Sequence, residues 1–272
     1  MELWEAEVVW RPTEKWVKES RVGQFLSKVG LGSIHALRER AASDPEWFWD
    51  AVVKELEWPF LVSYHTVLDT KNGIPFAEWF VGGRTNVALA ALDRHRDRQP
   101  DRVAVIYESE AGQVRQWTYG QLGETADRLA HGLRRVGIGL GDRIGIYLPM
   151  IPEAVALMMA AAKIGAIIVP AFSGYGAEAL ATRLADAGVS LLVTADGYFR
   201  RGRWIAMKPV ADQAIQQTGQ SIPILLVRQG YEPVTAADRW GRVTRDVAGL
   251  GAYLAGHLPT ATPPYNNCTS IT

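Results

Sequence analysis

The chain has 272 residues, 48% of them hydrophobic and 21% charged, with 29 basic and 29 acidic side chains and no formal net charge. This is the composition of a globular protein: it excludes a mostly disordered chain and gives no electrostatic reason to expect nucleic acid or an anionic membrane surface as a partner. A single cysteine, Cys268, excludes an internal disulfide and a cysteine-based metal site, and the five histidines are too scattered in sequence to build a metal centre.

Seven of the ten tryptophans lie before residue 80, in a segment with helical patterning and few long strands. Trp16, Val17, Phe25, Leu26 and Val29 fit one broad helical face, and Ser43 to Asp50 reads as a cap and a short helix. These aromatics are expected to pack the extension against the main domain. No apolar run reaches the roughly 20 residues that a membrane span requires, and the amino terminus has no secretion signal, so the expected compartment is the cytoplasm. Residues 1–80 are therefore read as a helical amino-terminal extension.

Thr85 or Asn86 can cap a helix through Val87, Ala90, Ala91 and Leu92 into the charged run that ends at Pro100. Val103–Tyr107 and Val114–Trp117 flank Ser109–Gln113 as a hairpin. Thr118 and Gln121 have capping-box spacing, and Leu122, Ala126, Leu129, Leu133 and Val136 form the stripe of the helix they open. Arg143–Leu148 reads as a strand. Pro152 and Glu153 start a helix, apolar at nearly every position from Ala154 to Ile164, that Gly165 ends; such a helix should have no solvent face. Ala166–Val169 is the next strand, and strand, helix, strand in one sheet means a parallel, right-handed crossover. A helix from Ala177 to Leu184, a strand from Val189 to Val193, a helix from Val210 to Gln217 and a strand from Ile224 to Val227 continue the alternation. The predicted fold class is α/β, a doubly wound, mostly parallel sheet over residues 81–230 preceded by the Trp-rich extension. Residues 231–272, rich in Pro, Thr and Asn toward the end, are expected to form an irregular, disordered tail.

Two stretches have the residue types for ligand chemistry. Gly174-x-Gly176-x-x-Ala179 opens a helix, with Asp196 20 residues past Gly176, and so fits a dinucleotide fingerprint. Against it, Pro170–Ser173 lengthens the turn, and nothing later supplies a catalytic domain; the alternative is a loop that glycine permits before a packed helix. The second stretch, Gly197–Arg203, is the densest cationic cluster and comes just after a strand. If Gly202 turns the backbone, Arg200 and Arg203 could face one phosphate, although a solvated loop has the same composition. No catalytic triad, paired-carboxylate motif or Walker-type loop is present, so no catalytic or metal-binding residue is assigned.

Taken in order, Gly82–Asn86, Trp117–Leu122, Gly141–Pro149, Pro152-Glu153, Lys163–Ala166, Phe172–Tyr175, Thr194–Asp196 and Arg200–Arg203 resemble the amino-terminal part of AMP-forming acyl-CoA synthetases of the acetyl-CoA synthetase type. The resemblance runs from about residue 45 to 230, and the Trp-rich region resembles that subgroup's helical extension. It implies an incomplete amino-terminal portion of the adenylate-forming fold. The implied activity is that of a ligase joining a carboxylate, acetate or another short acid, to coenzyme A at the expense of ATP with Mg. It implies small-molecule substrates, no tightly bound cofactor, and Arg200 and Arg203 as contacts to coenzyme A phosphates. The family's phosphate loop ending in Pro-Lys-Gly and its carboxy-terminal domain are not in this sequence. A truncated or frameshifted product, inactive alone, is therefore expected. A noncatalytic coenzyme A binding or partner module is the alternative, with association through an incomplete sheet and poor solubility.

Overall fold

The computed structural model describes residues 9–229. The expected tail at 231–272 lies outside the described residues. The described residues form two compact units, the first of residues 9–58 together with Val62–Gly83, the second of Pro59–Leu61 together with residues 84–229.

In the first unit, helices α1 (Glu14–Glu19), α2 (Arg21–Lys28), α3 (Ile34–Ser43) and α4 (Pro45–Glu55) are each capped by a side chain, from Thr13, Ser20, Ser33 and Asp44 in turn. Ser20 is extended and separates α1 from α2, so the single apolar face expected across Trp16 to Val29 is broken: Phe25 and Leu26 are buried, whereas Trp16 and Val17 are exposed. The expected packing role of the tryptophans likewise fails for Trp10 and Trp16, which meet edge to face at 5.9 Å and remain 64% and 66% exposed. The small core is Phe25, Leu26 and Leu37, covered by Trp47, Phe48 and Val52. After strand β1 (Phe60–Val62), strands β2 (Thr66–Asp69) and β3 (Glu78–Val81) pair antiparallel.

The second unit opens with β4 (Arg84–Thr85). Asn86 accepts the Ala88 amide, as a cap should, but the helix it opens is π-helical over Leu89–Asp93 before becoming α5 (Arg94–Arg98). The wide turn carries Asp93 into the interior, where it is 2% exposed. Strands β5 (Val103–Glu108) and β6 (Val114–Thr118) form the expected hairpin. Helix α6 (Tyr119–Arg135) has both bonds of the capping box, and its buried stripe stops at Leu133; Val136, past the helix end, is 40% exposed.

The remaining elements are β7 (Arg143–Tyr147), α7 (Pro152–Ile164), β8 (Ile167–Ala171), α8 (Ala177–Asp186), β9 (Leu191–Ala195), β10 (Gly197–Arg200), β11 (Arg203–Ala206), α9 (Lys208–Thr218) and β12 (Ile224–Val227). Strands β12, β9, β7 and β8 lie side by side in that order, all parallel. The chain steps from β7 outward to β8, then crosses back to β9 on the other side. Right-handed crossovers in opposite directions put their helices on opposite faces, α7 with α6 and α8 with α9. The sheet is doubly wound, as its sequence pattern predicts, and the reversal of strand order falls between β7 and β9.

Two details differ from expectation. Strand β8 runs through Pro170, opposite Ile146; a residue without an amide hydrogen is tolerated because β8 is the outer strand among the described residues. Helix α7 has a solvent-facing residue, Met158, at 41% exposure, while its one interior charge, Lys163, is completely buried. The Lys163 ammonium donates to Asp93 at 2.8 Å and Asp127 at 2.5 Å, and Arg96 pairs with the same two carboxylates. Burial works against the Arg96 charge, but Asp93 and Asp127 outweigh it and raise its pKa.

Candidate functional site

Open α/β sheets bind ligands beyond the carboxyl ends of their strands, where the strand order reverses. Here that place is the end of β7 at Tyr147 and the end of β9 at Ala195. The β10–β11 hairpin springs from Asp196, immediately after β9.

Asp196 is 1% exposed. Its carboxylate accepts the amides of Gly197 at 3.0 Å and Gln229 at 2.8 Å, and its carbonyl accepts the Met207 amide at 2.9 Å. One residue thus binds the first strand of the hairpin, the start of α9 and the chain leaving β12. Its Oδ1 accepts two backbone amides and the residue is buried, whereas a dinucleotide reading asks for an accessible carboxylate facing a ribose hydroxyl: in this structure Asp196 is a structural tie.

Glycine is needed at position 197 to leave its neighbours undisplaced, because a Cβ there would lie 2.4 Å from the Ile205 carbonyl oxygen and 2.5 Å from the Trp204 ring. That ring lies across the glycine and meets Phe199 edge to face at 5.3 Å. At the other end, Arg201 (φ 52°) and Gly202 (φ 70°) are both left-handed, the geometry of a two-residue turn whose twist matches its strands. Glycine adopts it freely; arginine does so at a cost of about 1–2 kcal/mol.

The turn makes Arg200 and Arg203 a directly opposed pair. Their side chains therefore leave the same face of the ribbon, as a shared ligand requires. The cluster is a hairpin rather than a loop, and Arg200, Arg201 and Arg203 are all exposed. Among the described residues none of the three makes an ion pair. Like charges directly opposite one another oppose folding by several tenths of a kcal/mol, roughly, so the pairing suits an anion rather than stability.

The Arg200 guanidinium lies beside the loop between β8 and α8: Nη1 is 3.6 Å from where a Cβ on Gly174 would be. Tyr147 shapes that loop from below, its hydroxyl pointing at the Tyr175 carbonyl at 2.9 Å and the Ser173 carbonyl at 3.2 Å. Burial, then the neighbouring Tyr198, pushes the Tyr147 phenol above its ordinary pKa, which keeps it a donor. Tyr175 in turn lies under the Arg183 guanidinium, 4.7 Å from its ring centroid. The glycine-rich loop and the arginine cluster, separate stretches in the sequence, are therefore neighbours.

Two carboxylates of this region have partners that the sequence did not indicate. Glu110, in the turn between β5 and β6, accepts the Gly202 amide at 3.3 Å across 92 residues of sequence. Glu153, expected only as a carboxylate suited to the first turn of α7, takes a two-pronged bond from Arg115 of β6 at 2.6 and 3.2 Å. Their positions, Glu110 in a hairpin turn and Glu153 at a helix start, were available from sequence; their partners were not.

Residues 34–91 match the model of the acetyl-coenzyme A synthetase N-terminus, and residues 92–247 match that of the AMP-binding enzyme. The acetyl-coenzyme A synthetase of Streptomyces coelicolor is 39% identical over 227 residues, which is 82% of this chain and 34% of that protein. That of Gemmatimonas aurantiaca is 39% identical over 224 residues, 78% of this chain and 34% of the relative. The chain thus spans about a third of the length of these curated relatives. The solved structure of acetoacetyl-CoA synthetase from Streptomyces lividans superposes with a TM-score of 0.85 at 25% identity, over 96% of this chain and 39% of the other. Among the described residues no helix is long and apolar enough to cross a membrane. With the family model covering more than half its length, the chain belongs to the AMP-binding enzyme family, and its fold is that of the amino-terminal part of an acyl-CoA synthetase.

Proposed function

We propose that this chain is the amino-terminal part of a cytoplasmic, AMP-forming acyl-CoA synthetase acting on acetate or another short acid. In that reaction a carboxylate oxygen attacks the α-phosphorus of Mg-bound ATP and releases diphosphate. The coenzyme A thiol then attacks the acyl carbon, giving the thioester and releasing AMP. Adenylation is needed because a carboxylate oxygen is a poor leaving group and AMP a good one.

Arg200 and Arg203 hold coenzyme A by its phosphates in this reading. The observation that carries it is their cross-strand pairing at the end of β9, unneutralised by any carboxylate among the described residues. Guanidinium groups present several donors in a plane and match phosphate oxygens. That the relatives are acetyl-coenzyme A and acetoacetyl-CoA synthetases supports the choice of ligand.

The 272-residue chain by itself binds coenzyme A without catalysing adenylation, since the sequence has no Pro-Lys-Gly phosphate loop to balance the charge of the triphosphate. This noncatalytic binding is favoured by the location of the arginine pair wholly within the chain. Strands β8 and β12, the outer ones among the described residues, are where a second chain would add to the sheet. Isothermal titration with coenzyme A tests the site: saturable binding is expected, and Arg200→Ala with Arg203→Ala should abolish it. Absence of binding to the unmodified chain overturns the assignment. Diphosphate exchange into ATP in the presence of acetate tests the chemistry, and clear exchange by the purified chain would refute its inactivity.

A further inference from the structure

In a two-residue hairpin turn the amide of the second turn residue has no partner within the hairpin. Here that amide belongs to Gly202, and Glu110 Oε2 accepts it at 3.3 Å. Glu110 is itself presented by an ordered turn: the Ser109 amide donates to the Gln113 carbonyl at 2.9 Å and the Gly112 amide to the Ser109 carbonyl at 2.9 Å. The Gln113 amide donates to the Ser109 hydroxyl at 3.1 Å. Behind the turn, the Arg115–Glu153 bond fastens β6 to α7, and the Arg115 guanidinium lies 4.8 Å from the Tyr107 ring centroid. The backbone ladder of the β5–β6 hairpin therefore connects α7, held through Arg115, with the turn whose Glu110 meets the tip of the arginine hairpin.

We infer that Glu110 is a positioning residue for the anion-binding hairpin, holding its tip through the Gly202 amide so that Arg200 and Arg203 stay directed at one phosphate-bearing ligand. The inference rests on the reading of these arginines as coenzyme A contacts. An isolated two-stranded ribbon is marginally stable, and this one carries three cations at its end, two of them opposed. A carboxylate in this position restrains the tip through the backbone and lowers the local positive potential. It takes up no guanidinium in an ion pair, so the donors remain available to phosphate oxygens. The bond formed is to an exposed turn, so its loss affects the orientation of the tip rather than the stability of the fold.

The test compares the full 272-residue chain with Glu110→Ala, Glu110→Gln and the Arg200→Ala, Arg203→Ala double variant, by coenzyme A titration and thermal melting. Glutamine keeps a carbonyl acceptor and removes the charge; alanine removes both. Glu110→Ala should weaken binding about fivefold to tenfold, the worth of one such hydrogen bond, with an unchanged melting temperature. Glu110→Gln should bind within about twofold of the unmodified chain or more tightly, because the repulsion of the phosphate is gone. Full binding by Glu110→Ala, with binding lost in the arginine variant, overturns the role of Glu110 and leaves the arginine site intact. Equal weakening by Ala and Gln overturns the acceptor role, and a melting temperature that falls with affinity makes Glu110 merely structural. No binding by the unmodified chain, or undiminished binding by the arginine variant, instead defeats the underlying assignment.

Discussion

Lys163 and the arginines of the β10–β11 hairpin are cations of one α/β unit with opposite surroundings. Lys163 has no exposed surface and sits between two carboxylates, with Arg96 completing a compact group of four charges. Arg200, Arg201 and Arg203 are exposed, crowded within four residues, and held on a turn that strains one of them. In the first case burial makes each charge depend on its partners, because an unpaired ion in the interior is far costlier than an absent one. In the second, water screens the repulsion and leaves the donors available. The difference separates groups that organise the fold from groups positioned to receive something from outside it.

The largest expected effect is on the buried side. Lys163→Ala removes the buried ammonium that both Asp93 and Asp127 face and should cost about 3–5 kcal/mol, read from urea denaturation. A loss near zero would mean that the buried group is not a coupled unit. At the hairpin base the dependence is on shape: Gly197→Ala should cost about 1–3 kcal/mol, because the Ile205 carbonyl and the Trp204 ring must move. Arg201→Asn relieves left-handed backbone strain and should stabilise the protein by roughly 0.5–1 kcal/mol in the same assay. Removing both Arg200 and Arg203 should change stability by no more than about 0.5 kcal/mol while removing coenzyme A binding. A large destabilisation there would place the pair with Lys163, among the groups that hold the fold.

A smaller effect concerns a partly exposed cation site between these extremes. Burial first, and then Arg94, Arg102 and Arg98, depress the His95 pKa below its ordinary value of 6.5. The unfolded chain therefore binds this proton more readily than the folded one. Stability contributed by neutral His95 is present above the unfolded pKa and is lost as pH falls through the depressed folded value. An NMR titration of the His95 ring should give a midpoint below that of a model peptide; a midpoint above it would show that the nearby arginines do not govern the ring.

Much of the fold was legible because its determinants are local. The Thr118 and Gln121 pair needs only a spacing of three to make a capping box, and Pro152 and Gly165 mark helix ends by their own backbone preferences. Likewise, alternating strands and helices imply a parallel sheet whichever neighbours finally pair. Trp16 and Val17 were misplaced because periodicity carried through Ser20, where a side-chain cap starts a new helix. The environment of Lys163 could not be read from its own helix, since the carboxylates that meet it, Asp93 and Asp127, lie 70 and 36 residues away.

By itself the sequence determined the order of elements, the parallel class of the sheet, and the cationic cluster from which Arg200 and Arg203 are proposed as phosphate contacts. Tertiary structure decided that Asp196 is buried as a tie between backbone segments, that Gly174 lies beside Arg200, and that Glu110 reaches Gly202 from the far hairpin. The physical reason is range. Backbone preference and periodicity act over a few residues and are written in them, whereas a carboxylate is free or committed according to which donors, tens of residues away, the fold brings within about 3 Å.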